Sequence, residues 1–179
     1  FWLIAAALAV SMSLEATAES PPKKRPLTDK MLTVSLHYQP SSQIHAWSTP
    51  AAELLRKTLQ KESFDAGLTK TEGKVIPPLD VQNHALKMCI KKPLFLLETV
   101  WNRNHDEISL GNSNSPITGR TLGWAASAPE CGATLGVFAY KSRLSADIIY
   151  TTSSSADMEK NSFYKGGKTT SEPLFYIWP

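Results

Sequence analysis

TPAAELLRKTLQKESFDAG, residues 49–67, is the stretch on which the fold reading turns. Thr49 can cap a helix, Pro50 suits its first position, and Glu53 sits where the helix dipole favours an acid. Leu55, Leu59 and Ala66 follow at helical spacing, and Gly67 is a natural stop. The stretch predicts an amphipathic helix laid on a core.

Working outward, Met31 to Tyr38 places Leu32, Val34, Leu36 and Tyr38 at a period of two, which reads as a strand. Lys70 to Pro78 reads as a loop. Asp80 can cap a second helix that carries Val81, Ala85 and Met88 on one face and ends at Cys89. Leu94 to Trp101 is apolar enough for a buried strand or core segment. Asn102 to Ser115 reads as a polar loop, with a short helix from Ser115-Pro116 toward Trp124. Cys131 to Tyr140 and Leu144 to Thr152 form a β pair, Ser153 to Lys160 is a loop, and Leu174 to Trp178 is an apolar patch that docks on the core. Helices first and a β pair later predict an α+β fold with a central antiparallel sheet. The sequence shows no internal repeat.

Composition narrows the class. Residues 1–18 read as a secretory signal peptide that lacks its basic start, with an apolar run to Leu14 and Ala16-Thr17-Ala18 as the cleavage site. Fourteen residues fall short of the about 20 that a spanning helix needs. Residues 19–30 form a Pro- and Lys-rich leader, and 31–179 a single domain. Formal net charge is +3, too mild to argue for nucleic acid. The chain has two cysteines. In an oxidising route such a pair bonds, with about 4 kcal/mol to gain from closing so long a loop, and two buried thiols are the alternative.

Four stretches, taken in order, resemble the CAP superfamily, and within it the nematode venom-allergen-like or activation-associated secreted proteins. Leu54 to Lys61 with Ala66-Gly67 is similar to the family's first helix. Lys74 to Asp80, then Asn83-His84-Ala85 and Cys89, is similar to its loop and second helix. Gly123-Trp124-Ala125-Ala126-Ser127 before Cys131-Gly132 resembles a Trp-Ala segment leading into a Gly-Cys-Gly strand. Ile148-Ile149-Tyr150 with Tyr164-Lys165 resembles the last core strand and closing loop. The resemblance implies a CAP-like α-β-α sandwich with a shortened middle region. It also places a Cys89–Cys131 disulfide.

Departures from the family's pattern steer function. The family's cleft presents two His and two acids, a set suited to a divalent metal. Lys57, Thr58 and Lys61 stand at the His, Asn and Arg places of the first helix. Ile90-Lys91-Lys92-Pro93 offers no histidine after Cys89, and Thr118 stands where the second is due. Glu98 is the residual cleft position, and the helix for the second acid is missing. No metal, cofactor or catalytic residue is therefore expected.

Other constellations read as structural. His105-Asp106-Glu107 reads as a solvated loop, and His37, His45 and His84 are scattered. A Ser-His-Asp site stays open, although Gly-x-Ser-x-Gly is absent. The expectation is a secreted, extracellular, non-enzymatic protein that binds a host extracellular protein or receptor. It is neither nucleic-acid-binding nor membrane-spanning. A sterol or fatty-acid carrier is one alternative, with Leu94 to Trp101 as its apolar lining, and a metal-dependent hydrolase is another.

Overall fold

The computed structural model describes residues 30–80, 89–102 and 105–179; of residues 65–69 and 101–102 only the backbone is described. The signal peptide, all of the leader before Lys30, the second helix between Asp80 and Cys89, and His84 lie outside these. Nine strands, two α-helices and a 3-10 turn at Pro78–Asp80 are present among the described residues. The strands are β1 (Leu32–Gln39), β2 (Ile44–Ser48), β3 (Asp65–Val75), β4 (Leu94–Asn102), β5 (His105–Gly111), β6 (Thr121–Ala126), β7 (Leu135–Lys141), β8 (Ile148–Thr151) and β9 (Phe175–Ile177). The helices are α1 (Glu53–Lys61) and α2 (Ser155–Lys160).

This corrects the expected α+β sandwich. The chain is mostly β, in a three-stranded sheet of order β2-β1-β3 and a six-stranded sheet of order β5-β4-β6-β9-β7-β8. Three segments read as loop or helix are strands. Lys70 to Val75 belongs to β3, His105 to Gly111 is β5, and the helix placed from Ser115-Pro116 toward Trp124 is replaced by an irregular turn to Arg120 followed by β6. The inward positions of β3 and β5 carry Glu72 and Asp106, both buried, which disguises their period of two. In β6 all six residues are buried, so no alternation survives to be read. Ser153 to Lys160, read as loop, contains α2, where the Ser154 hydroxyl accepts the Asp157 N–H.

The first helix exists but is shorter than expected. Leu55 and Leu59 bury its inner face. Ser63, at φ 59°, turns the chain out of it, well before Gly67. Thr49 does not cap it; its hydroxyl donates to the Leu122 carbonyl of β6 at 2.8 Å. The Gly119 carbonyl takes the Leu55 N–H instead.

The strands repeat one topology three times. A central strand (β1, β4 or β7) pairs with the next strand as a hairpin and with the third on its other side. The three third strands meet in a cycle of single bridges: Lys74 with Trp178, Trp124 with Ile76, and Tyr176 with Ala126. Between the bridging positions lie Val75, Ala125 and Ile177, all fully buried. The three hairpin strands meet at the other side through side chains. Asp106 of β5 bonds the Trp47 N–H of β2. The Tyr150 hydroxyl of β8 bonds the Ile108 N–H of β5. Asp147, just before β8, accepts the His45 N–H of β2 at 2.9 Å. Strand edges that would otherwise be open are closed in this way.

Two cores result. The larger gathers Val34, Leu36, Trp47, Leu97, Leu122, Val137 and Phe175, with α1 on its flank. The smaller gathers Ile76, Leu96, Trp124, Ala126, Ala133 and Trp178. Beside the smaller core Cys89 and Cys131 are bonded, with Cα atoms 5.7 Å apart. They tie the β3–β4 connection to the β6–β7 connection.

Candidate functional site

The β1–β2 hairpin organises the polar chemistry. Its register sets His37 opposite Ala46 and Tyr38 opposite His45. Successive residues of a strand face opposite ways, so His37 and His45 lie on opposite faces of one hairpin.

On the α1 face, His37 Nε2 meets the Ser48 hydroxyl at 2.6 Å, a diagonal cross-strand contact. Ser48 is 4% exposed. Burial lowers the His37 pKa and the Arg56 guanidinium lowers it further, so the ring is neutral at pH 7. These residues line a recess of about 560 Å³ with Glu53, Arg56, Lys57 and Gln60 of α1 at its rim. Lys57 is paired with Glu53 at 2.8 Å. Arg56 forms no salt bridge among the described residues. Its charge is therefore the one left uncompensated at this rim.

On the opposite face, Asp147 is fully buried and gathers three donors. They are the His45 N–H, His45 Nδ1 at 2.8 Å and the Tyr164 hydroxyl at 2.5 Å. Burial raises the Tyr164 pKa and the bond to Asp147 raises it further, so the phenol stays a donor. The Tyr38 ring lies 4.7 Å from that of His45. A cavity of about 250 Å³ opens here.

Two other buried carboxylates serve the frame. Glu72 accepts from the Thr151 hydroxyl and from the amide and hydroxyl of Thr152, with Lys70 Nζ at 3.0 Å, and so fastens β3 to the end of β8. Asp106 is 2% exposed, and its Oδ1 has no hydrogen-bond partner among the described residues. Burial pushes its pKa up to about 8, with Asp147 and Glu107 adding to the rise. Asp106 is thus no part of the solvated loop expected at His105-Asp106-Glu107. Glu107 does face outward, with His105 Nε2 at 2.6 Å from its Oε1.

Glu98, read as the residual cleft position, meets Thr118, which stands where the second histidine is due. The Thr118 hydroxyl donates to Glu98 Oε1 at 2.6 Å. Among the described residues no group of three or more His, Cys, Asp or Glu side chains could hold a metal ion. Leu96 and Leu97, named as a lipid lining, are spent in the two cores. No described helix is long and apolar enough to cross a membrane. What the sequence missed are the partners of His37 and His45, because Ser48, Asp147 and Tyr164 are brought in by strand register and by distant loops.

The chain matches no family model, no curated protein and no solved structure.

Proposed function

We propose that this is a secreted, non-enzymatic binding protein, and that its site is the recess between the β1–β2 hairpin and α1. The observation that carries the reading is the division of histidines between the hairpin's faces. His37 has a serine but no orienting carboxylate among the described residues, and His45 has the carboxylate but no serine hydroxyl on its ring. Serine hydrolysis needs the three in one line. Secretion is supported by the Cys89–Cys131 disulfide, which suits an oxidising compartment.

The charge of the rim supports an anionic partner group. With His37 neutral and Lys57 engaged by Glu53, Arg56 is free to take a carboxylate in a bidentate pair, while the Ser48–His37 pair and Gln60 supply neutral hydrogen bonds. The partner is an extracellular protein presenting an acidic side chain. A Glu-rich peptide should bind and perturb the Arg56 Nε resonance, the matching Gln peptide should not, and Arg56→Gln should weaken binding about tenfold. Equal binding of the two peptides would refute the anionic reading.

The 2.6 Å contact between Ser48 and His37 favours a second reading, an esterase with Ser48 as nucleophile. Turnover of p-nitrophenyl acetate that Ser48→Ala abolishes would establish it and overturn the binding proposal.

A further inference from the structure

The geometry points to a second ligand site, in the cavity at His45, for a small apolar molecule that carries one hydrogen-bond donor, phenol being the simplest. It lies on the hairpin face away from α1 and is independent of the recess there. Both Asp147 oxygens act as acceptors, Oδ1 from the His45 N–H and Oδ2 from the Tyr164 hydroxyl. The His45 Nδ1 contact with Oδ2 must then be made by an Nδ1–H. In the neutral ring that proton fixes the tautomer and leaves Nε2 with a lone pair, an acceptor only.

Nothing among the described residues uses that lone pair. Neither serine of the cavity is bonded to it. The Ser142 hydroxyl accepts the N–H groups of Leu144 and Ser145, and the Ser145 hydroxyl accepts the N–H of Asp147. The other walls are the aromatic and apolar side chains of Tyr38, Ile149, Met158 and Phe163, with the exposed amides of Gln43 and Asn161 at the rim. A ligand seated over Nε2 displaces the solvent there, so one that brings a donor pairs the lone pair and an apolar one leaves it unpaired. The buried carboxylate behind the ring holds the acceptor in place before any ligand arrives.

The test is a titration of the chain with phenol and with toluene, followed by ¹⁵N resonances of the histidine rings. Phenol should shift His45 Nε2 and bind about tenfold more tightly than toluene, the worth of one hydrogen bond. Asp147→Asn should turn the ring so that Nε2 carries the proton, and the preference should pass to an acceptor such as benzaldehyde. Arg56→Gln should leave both preferences unchanged. Absence of phenol binding, equal affinity for phenol and toluene, or shifts confined to other histidines would each overturn the proposal. The comparison on the unaltered chain decides it even where Asp147→Asn does not fold.

Discussion

At the scale of single residues, Asp106 makes the sharpest statement. Its carboxyl is protonated in the folded chain up to about pH 8, whereas an unfolded aspartate ionises near 4. Between those values the native state holds a proton that the unfolded state has lost. Stability is then fully present below pH 4 and falls as pH rises toward 8, with a slope reaching about 1.4 kcal/mol per pH unit for one proton. Asp106→Asn should remove that slope while its amide oxygen still accepts the Trp47 N–H. Urea unfolding at pH 5 and pH 8 checks it, and parallel losses in the two proteins would sink the prediction. The same residue shows what the sequence could not carry. An aspartate between His105 and Glu107 reads as solvent-facing because a buried, under-bonded carboxylate is costly. Ser48, Asp147 and Tyr164 leave no local signal either, since their partners lie far along the chain.

At the scale of elements, legibility followed the period of two. β1, β4, β7 and β8 carry enough apolar residues to be read. β3 hides behind a run of Thr, Lys, Glu and Gly, and β6 behind its Gly-Trp-Ala-Ala composition. The glycines in these strands have a reason that only the assembled sheet reveals. Gly73 at φ 149° and Gly123 at φ 144° each stand one residue before a bridging position of the central cycle. A Cβ at Gly123 would lie 2.5 Å from the Ile76 carbonyl oxygen and 2.7 Å from Val75 Cγ2. Gly123→Ala should therefore cost about 2–4 kcal/mol, by opening the β3–β6 junction and by forcing an unfavourable φ. Gly166, at φ 68° with nothing within 4 Å of a Cβ, isolates the second cause. Gly166→Ala should cost about 1–2 kcal/mol. Equal losses for the two alanines in urea unfolding would mean that the close approach at Gly123 carries no weight.

At the scale of the molecule, three units of one topology close on each other with few ladder hydrogen bonds between them. Only single bridges join the third strands, and side chains join the hairpin strands. No repeat is legible in the sequence because equivalent places hold unlike residues, Val75, Ala125 and Ile177 at the centre being the clearest case. Cohesion between units must come from the shared cores and from the covalent link. The Cys89–Cys131 bridge spans 42 positions and joins the segments that lead out of the first and second units. The Trp178 indole, at the end of the third unit, donates to the Cys131 carbonyl at 2.9 Å, so all three units converge on this place. Replacing both cysteines by alanine should lower stability by about 2–4 kcal/mol, chiefly by enlarging the unfolded ensemble. Hydrogen exchange should then quicken at Trp124 and Trp178 before it does in β1. Cys131→Ala alone should add a free Cys89 thiol that cross-links dimers on oxidation. Peptide mapping without reduction is the direct check. Recovery of separate Cys89 and Cys131 peptides from oxidised protein would remove the bridge, and with it this account of how the units are held together.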